Sequence, residues 1–461
     1  MIDLISEAQT SEERFLRQIF VRDQMAEWSK QPLLMARADG VLYWDVHGKR
    51  YLDALSGIYT VSVGHNNRRV IDAIKKQLDT LHFSPPMHGS NPVAVQLANL
   101  IASVAPGDLN TVKFECAGSE VTEAAIKLAR QYHKLTGNPG KYKIISRYLS
   151  WHGSTMGALS ASGLKGRRTV NEPLAPGFIH VFPPTCYRCP FGNEYPSCEI
   201  TCATLVNDVI EMEDPSTVAA VLVEPIGHTG GIIDPPPEYL RILREACDRH
   251  NVLLIFDEII TGMGRTGQMF AAETFGVLPD VICTAKGLSG GYAPLSAMIC
   301  RKPIADAFWG PVETNPGFVE GHTFEGNPVG CAAGIAVLRE IIENDLCVNA
   351  CKQGERLRAG FRRLADKYCI IGDIRGKGLL QGIEFVKNLK TKERFPTNPG
   401  IGMKIGRRAL ANGLLCRFDP HWLAFGPALN VTCEQLAEML ATLDKSMGEV
   451  LNEAADNGHF T

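Results

Sequence analysis

Residues 253–267 read LLIFDEIITGMGRTG, an apolar run that ends in an acid and continues into a glycine-rich loop. Gly262, Gly264 and Gly267 fit the G-x-G-x-x-G spacing of dinucleotide-binding loops. In such a loop the first glycine follows the strand directly, so that a pyrophosphate can rest on the start of the next helix. Here the residues DEIIT separate the apolar run from Gly262. The spacing therefore disfavours a dinucleotide site, and Asp257 at the end of the run becomes the more informative residue.

Short apolar and β-branched runs alternate with helical patterns on both sides of this stretch. The runs VKFECAG, YKIISR, AAVLVEPI, VLLIFDEI, DVICTA and LSAMIC all have the composition of buried strands. Amphipathic segments at 119–135 and 236–251 stand between them. This alternation predicts an α/β fold with a mostly parallel sheet that is covered by helices on both faces.

The pattern changes near residue 326, where longer helical segments become interleaved with the strand-like runs LLQGIEFV and LLCRF. This change predicts a large domain over residues 61–325 and a smaller α+β domain over residues 326–461. Residues 1–60 contain the strand pair VLYWDVHGKRYLDAL. We expect this N-terminal segment to pack with the smaller domain.

Composition favours small-molecule partners. The chain has 47 basic and 50 acidic residues and a net charge of −3, which offers no electrostatic footprint for nucleic acid or an anionic membrane. No uncharged apolar run approaches the ~18 residues of a membrane-spanning helix. The start, MIDLISEAQTSEERFLRQIF, carries acids where a signal peptide needs basic residues. The 14 cysteines are dispersed as in reduced proteins, so we expect a cytoplasmic location.

Three features at strand ends indicate one ligand-binding crevice. Asp257 and Lys286 each end an apolar run, and Gly118 and Ser119 begin a helical segment directly after another one. Ligands of open α/β sheets bind beyond the carboxyl ends of the strands. A desolvated lysine can form a Schiff base, a buried acid needs a cation or donor, and a helix start can bind phosphate. Taken singly, the same residues are explained by a loop cap, a solvated charge and a serine N-cap.

Six blocks of sequence, in this order, resemble the class III (ω-amino acid) aminotransferases, which use pyridoxal 5'-phosphate (PLP). They read CAGSEVTEAAIKLAR, SRYLSWHGSTMGALSASG, VEPIGHTGGI, LLIFDEIITGMGRTG, VICTAKGLSGGYAPLSAM and GHTFEGNPVGCAA. The resemblance implies fold type I, with a mostly parallel sheet of the seven-stranded type in the large domain. It implies a transaminase that moves an amino group from an amine donor to a keto acid in a ping-pong reaction. Decarboxylases, racemases and aminomutases of the family share these residues, and a non-catalytic PLP-binding protein is a more distant alternative.

The resemblance assigns cofactor-binding roles to residues of these blocks. Lys286 would bind the cofactor aldehyde covalently and carry a proton during the reaction, and Asp257 would keep the pyridine nitrogen protonated. Gly118 and Ser119 would bind the cofactor phosphate. Thr323 would complete the phosphate site of the neighbouring subunit, so we expect a homodimer or a dimer of dimers that shares its active sites.

Three more residues would surround the cofactor ring. The resemblance places Trp151 where the family stacks an aromatic ring on the cofactor, with His152 beside it. Ile259 would press on the opposite face of the ring. Without the surrounding blocks, Trp151 and Ile259 are better explained as core residues and His152 as an interior histidine with its hydrogen bonds satisfied.

The substrate pocket shows both agreement with the family and departures from it. Arg417 matches the mobile arginine that binds the keto acid carboxylate, which the bidentate guanidinium suits. Ornithine- and GABA-type members have an acid near the position of Thr229 and a glutamine at that of Ile260, and both are missing here. This resembles the ω-amino acid:pyruvate branch, whose donors are apolar amines or β-amino acids. The expected walls of the donor pocket are Ile58, Tyr59 and Trp151.

Four cysteines fall within 17 positions at the spacing C-x2-C-x8-C-x3-C. Zinc sites use paired thiolates at such short spacings. The middle gap is shorter than in common zinc ribbons, however, and free cysteines are frequent in the cores of reduced proteins. The sequence therefore assigns no metal to the chain and leaves these thiols open as ligands: Cys186, Cys189, Cys198 and Cys202.

Overall fold

The computed structural model describes residues 20–21, 25–30 and 32–456 of the chain. Residues 1–19, which hold most of the stretch compared above with a signal peptide, lie outside the described residues, although they belong to the predicted segment 1–60. Within the described ranges, no helix has both the length and the apolar content that crossing a membrane requires.

The strands and helices are numbered in chain order. The strands are β1 (Met35–Asp39), β2 (Leu42–Asp45), β3 (Arg50–Asp53), β4 (Leu109–Glu115), β5 (Lys143–Arg147), β6 (Phe178–Val181), β7 (Val218–Val223), β8 (Leu253–Asp257), β9 (Val281–Thr284), β10 (Ser296–Arg301), β11 (Ile371–Lys377), β12 (Leu380–Phe385), β13 (Leu414–Leu415), β14 (Arg417–Asp419) and β15 (Trp422–Phe425). The helices are α1 (Met25–Trp28), α2 (Arg68–Thr80), α3 (Pro92–Val104), α4 (Gly118–Leu135), α5 (Met156–Ala161), α6 (Lys165–Arg168), α7 (Thr201–Met212), α8 (Tyr239–Arg249), α9 (Ala271–Phe275), α10 (Lys302–Asp306), α11 (Pro328–Glu343), α12 (Leu346–Tyr368), α13 (Ile401–Ala411) and α14 (Cys433–Asp456). Short helical turns lie at Ser56–Tyr59, Pro86–His88, Cys186–Arg188 and Lys286–Leu288.

The central sheet has seven strands in the order β4-β10-β9-β8-β7-β5-β6. Six of them run in one direction, and β10 alone is antiparallel to its neighbours β4 and β9. Every residue of β7, β8 and β9 is buried. Burial on both faces explains why these strands appear in the sequence as continuous apolar runs, and the predicted mostly parallel sheet is confirmed.

Two four-stranded sheets accompany the central one. Their orders are β1-β2-β3-β13 and β11-β12-β15-β14. In the first, β13 from the C-terminal part of the chain pairs in parallel with β3, which sets Leu414 opposite Leu52. This pairing supports the expected packing of the N-terminal segment with the smaller domain. The boundaries at residues 60 and 325 stay a prediction.

The small domain has an aromatic core between α12 and β15. Phe361 and Phe425 meet edge to face with ring centroids 5.2 Å apart, and both side chains are fully buried. Aromatic pairs in this arrangement contribute beyond the area that they bury. The contact therefore fixes the long helix α12 on the antiparallel sheet.

Replacing Phe361 by alanine is expected to lower the free energy of unfolding by about 3–5 kcal/mol, because it leaves a cavity facing Phe425. Urea denaturation followed by circular dichroism measures the change. Leu389→Ala serves as the matched control, since that side chain is 48% exposed. Equal midpoints for the two variants would contradict this description of the core.

Candidate active site

A cavity of about 470 Å³ opens at the carboxyl ends of the central strands. Parallel strands end at the same edge of a sheet, so residues that follow β7, β8 and β9 meet there. The start of α4 and the loop after β5 close the cavity from the side. The lining contains seven of the residues predicted from the sequence: Gly118, Ser119, Trp151, His152, Asp257, Ile259 and Lys286.

Asp257, the last residue of β8, is held by two hydrogen bonds. Its Oδ2 lies 2.7 Å from Nδ1 of His152, and its Oδ1 accepts a 3.1 Å hydrogen bond from the backbone N–H of Ile259. Both side chains of the Asp257–His152 pair are almost completely buried. The other imidazole nitrogen, Nε2 of His152, is buried and has no partner among the described residues. The carboxylate is therefore fixed in orientation, and the pair has hydrogen-bonding capacity left for a ligand.

Lys286 lies just beyond β9, at the first position of the turn Lys286–Leu288. Its backbone has a φ of 41°, which is uncommon for a residue with a side chain. Burial lowers the pKa of the Lys286 ammonium, while the carboxylates of Asp257 and Glu224 act in the opposite direction. A lowered pKa makes the neutral, nucleophilic amine more accessible near neutral pH.

The start of α4 forms a close-fitting anion cradle. Ser119 Oγ accepts a 2.9 Å hydrogen bond from the backbone N–H of Ser154, so its own proton remains free to donate. A Cβ atom at Gly118 would lie 3.1 Å from Ile259, and one at Gly153 would lie 2.6 Å from Ser119 Oγ. Gly153 also has a φ of 147°. The two glycines allow the backbone to approach a ligand whose negative charge the helix dipole favours.

Trp151 and Ile259 reach the cavity from different loops. Trp151 follows β5 and is half-buried, whereas Ile259 follows β8 and belongs to the partly buried apolar residues around the core. Both line the cavity beside the Asp257–His152 pair. That they enclose the two faces of one ring stays a prediction.

Three residues predicted for the substrate pocket lie behind the lining. Tyr59 is 1% exposed, its Oη has no partner among the described residues, and Ile58 packs in the same apolar cluster. Arg417 in β14 is half-buried, with its guanidinium 5.7 Å from the ring centroid of Trp422. The guanidinium makes no hydrogen bond or ion pair within the described part of the chain, and its charge acts on Tyr59, His228 and Asp419. Their contacts with a substrate stay a prediction.

Thr323 lies outside the cavity, on an exposed loop before α11. The adjacent His322 lies 3.1 Å from Glu320 and 3.7 Å from the buried Glu115. Together these three offer ligand atoms within 4.8 Å of one another, the one such group in the described ranges. Glu320 is ion-paired at 2.7 Å with Lys127, so a charge network accounts for the cluster. The predicted role of Thr323 toward a neighbouring subunit stays a prediction.

The four cysteines of the insert line one small cavity of about 20 Å³. Burial and the neighbouring thiols raise the pKa of Cys186 to about 11 and that of Cys202 to about 12. These thiols are not part of any compact group of metal ligands in the described residues. The question whether these four thiols bind a metal stays as the sequence left it.

Glu224 and His228 are among the lining residues that sequence reasoning missed. Glu224 directly follows β7 and is 4% exposed, and its Oε1 lies 3.2 Å from Nδ1 of His228. Burial acts to raise the pKa of Glu224, but the hydrogen bond from His228 and nearby positive charges hold it below its ordinary value. An acid at the end of a buried run was the signal that singled out Asp257. The same signal was available for Glu224 in AAVLVEPI.

Comparisons with known proteins agree with this geometry. A family model described as aminotransferase class-III matches residues 24–447. A probable aminotransferase of Mycobacterium tuberculosis is 41% identical over 391 residues, which cover 84% of this chain and 82% of the relative. A leucine/methionine racemase of Thermococcus litoralis is 36% identical over 423 residues, covering 91% of each chain. A beta-alanine–pyruvate aminotransferase of Pseudomonas aeruginosa is 34% identical over 434 residues, covering 93% and 94%.

Solved structures show the same fold. The crystal structure of an amine transaminase from an uncultivated Pseudomonas species, in its PLP-bound form, superposes with a TM-score of 0.89. The two chains are 33% identical, and the match covers 94% of this chain and 99% of the other.

Replacing Gly153 by alanine is expected to weaken PLP binding by about tenfold or more, because the added methyl group displaces Ser119 Oγ from the anion cradle. Fluorescence titration of cofactor-free protein with PLP measures the dissociation constant. Gly166→Ala is the matched control, since a Cβ there meets no atom within 4 Å. Unchanged affinity in the Gly153 variant would argue against this phosphate position.

Proposed function

This chain belongs to the class-III aminotransferase family, and we propose that it transfers an amino group from an amine or an ω- or β-amino acid to pyruvate. The observation that carries the proposal is the position of Asp257 and Lys286, which follow neighbouring parallel strands into one cavity. A carboxylate and a desolvated amine at the two ends of a planar ring are what PLP chemistry requires. Pyruvate as acceptor is supported by the relative named beta-alanine–pyruvate aminotransferase.

We propose PLP as the cofactor because the cavity fits its functional groups. The backbone at Gly118 and Gly153 leaves no room for a methyl group, as expected where a phosphate contacts the main chain. Asp257 faces the same cavity with its orientation fixed by His152. When bound, PLP supplies an electron sink for the charge that develops on the donor carbon. Its aldehyde would be held by Lys286.

Lys286 is proposed as the group that moves the proton during the reaction. With PLP bound, Nζ of Lys286 would be the base that accepts a proton from the donor carbon and the acid that gives it back. Burial lowers the pKa of Lys286, which keeps the amine able to accept that proton near neutral pH. Asp257, oriented by His152, keeps a proton on the ring nitrogen.

Arg417 is proposed as the anchor of the keto acid. Its guanidinium makes no ion pair within 4 Å among the described residues, although burial raises the pKa of the Asp419 carboxyl and the charge of Arg417 acts against that rise. The arginine fork matches a carboxylate in geometry. Thr229 stands where related enzymes carry an acid that neutralises this arginine. A free Arg417 is therefore available in the half-reaction that consumes pyruvate.

We also propose a homodimer whose active sites are shared. Thr323 is exposed, and four large apolar side chains in the same segment, residues 309–324, are exposed as well. Such a patch on a folded chain is typical of a protein–protein interface. The exposed fractions are 82% for Trp309, 83% for Val312, 64% for Val319 and 59% for Phe324.

A second function is favoured by one observation, the 36% identity to a leucine/methionine racemase. Racemisation uses the same lysine and acid but consumes no keto acid. Incubation of single enantiomers of leucine and methionine without pyruvate separates the two functions. Interconversion of the enantiomers without net loss of amino groups would identify a racemase.

Lys286→Ala is expected to abolish alanine formation from pyruvate and a panel of amines, and to remove the ~420 nm band of covalently bound cofactor. Chromatographic assay of alanine and absorption spectra measure the two effects. Lys302→Ala is the control, because Lys302 lies on the exposed side of α10 and pairs with Asp306. Full turnover in the Lys286 variant, or no alanine from any donor with the native protein, would rule out the proposed function.

Arg417→Ala is expected to raise KM for pyruvate by about 10- to 100-fold, because a charged hydrogen-bonded pair is lost. The KM of an uncharged amine donor should change little. Initial rates with each substrate varied in turn measure both constants. An equal rise in both would mean that Arg417 does not act on the carboxylate.

A further inference from the structure

An imidazole with unused bonding capacity lines the active cavity between the two proposed anchors. His228 is 7% exposed and contributes to the lining. The positive charges of Lys286 and Arg417 both act on it. Lys286 and His228 line the same cavity, so a donor whose amine reacts at Lys286 can place its remote end against this ring.

The loop that carries His228 is fixed at both ends. Gly227 and Ile233 bridge it with backbone hydrogen bonds of 3.0 and 2.6 Å. Within the loop, the carbonyl of His228 accepts hydrogen bonds from the N–H groups of Gly231 and Ile232 at 3.2 and 3.4 Å. The Tyr59 ring packs edge-on against the imidazole, with centroids 5.9 Å apart. The imidazole is thus held in one place before a ligand arrives.

The hydrogen bond to Glu224 determines which nitrogen of the His228 ring carries the proton and which can accept a hydrogen bond. Nδ1 of His228 lies 3.2 Å from the Glu224 carboxylate, which can only accept, so Nδ1 carries a proton. Burial lowers the pKa of His228, and the charges of Lys286 and Arg417 lower it further. The ring is therefore neutral near neutral pH, and Nε2 presents a lone pair. Within the described ranges, Nε2 has no hydrogen-bond partner. It is also not completely buried, unlike the other unpaired atoms of the site such as His152 Nε2.

We propose that His228 Nε2 is the acceptor of a subsite that binds a hydroxyl group at the far end of the amine donor. The inference rests on the proposed aminotransferase function and adds the donor class to it. A carboxylate binds poorly to a neutral hydrogen-bond acceptor, whereas the guanidinium of Arg417 is well suited to bind a carboxylate. The donor and the keto acid would thus use different anchors in the same cavity.

The subsite makes the preferred donors amino alcohols rather than plain alkyl amines. Nε2 gains a hydrogen bond when the donor carries a second polar hydrogen, and it loses its access to water when an alkyl chain covers it. Leaving a buried acceptor unpaired is costly. The carboxylate of Glu224 strengthens acceptance at Nε2 because it withdraws the opposite proton of the ring.

The test compares 4-aminobutan-1-ol with pentylamine, which replaces the hydroxyl by a methyl group of similar size. Each donor is mixed with PLP-loaded protein without keto acid, and the loss of the ~420 nm band yields an apparent dissociation constant and a rate constant separately. The native protein should bind the amino alcohol about tenfold or more tightly. His228→Leu should remove this preference, chiefly through the dissociation constant, and His228→Gln, which keeps an acceptor, should restore part of it.

Lys302→Ala is the control, because the exposed Lys302 pairs with Asp306 and does not line the cavity. It should keep the preference of the native protein. As a direct readout, crystals of PLP-loaded Lys286→Ala protein soaked with 4-aminobutan-1-ol should show the hydroxyl about 2.7–3.0 Å from His228 Nε2.

Two results would overturn the subsite while leaving the enzyme function intact. One is equal affinity of the native protein for the two donors, and the other is an undiminished preference in His228→Leu. If no amine of any kind removes the band, the aminotransferase function fails, and the subsite fails with it.

Discussion

The 2.7 Å hydrogen bond between Asp257 and His152 is the interaction on which the rest of the site depends. A carboxylate buried at the end of a strand loses its hydrogen bonds to water and needs hydrogen bonds from fixed protein groups in their place. His152 and the backbone N–H of Ile259 supply two of these partners. The Asp257 carboxylate can accept a further hydrogen bond from the cavity, where the protonated ring nitrogen of a bound cofactor would donate it.

The parallel sheet turns this local arrangement into an active site. β7, β8 and β9 are adjacent and parallel, so the residues that follow them converge although they are distant in sequence. Three charged groups lie in the cavity for this reason: Glu224, Asp257 and Lys286. The start of α4 adds an anion cradle, and the loop after β5 adds Trp151. The three charged groups reach the cavity at the ends of rigid strands, which is how precise catalytic geometry is maintained.

The features that could be predicted from the sequence are those that depend on local patterns of residues. Buried strands are continuous apolar runs, so the central sheet could be predicted, and Asp257 and Lys286 stood out as charges at the ends of such runs. The partnership of Glu224 with His228 required knowledge of how the loop after β7 folds back at Gly227 and Ile233. The pairing of β13 with β3 likewise depends on tertiary structure and has no local signal.

The position of the substrate-binding residues was harder to foresee for the same reason. Tyr59 follows an irregular turn with positive φ at Ser56 and Gly57, which buries its ring behind the cavity. Arg417 lies on a three-residue strand whose orientation is set by pairing with β15. The Cys-rich insert differs from these residues, because its spacing motif is visible in the sequence. In the structure its four thiols line one small cavity without forming a compact group of metal ligands.

Borohydride reduction of the PLP-loaded protein, followed by proteolysis and mass spectrometry, tests the central claim most directly. The reagent makes the bond between cofactor and lysine permanent, so that the modified residue can be identified. The account predicts the pyridoxyl group on Lys286 and on no other lysine. A stoichiometric label on another lysine, such as Lys113 or Lys141, would contradict it.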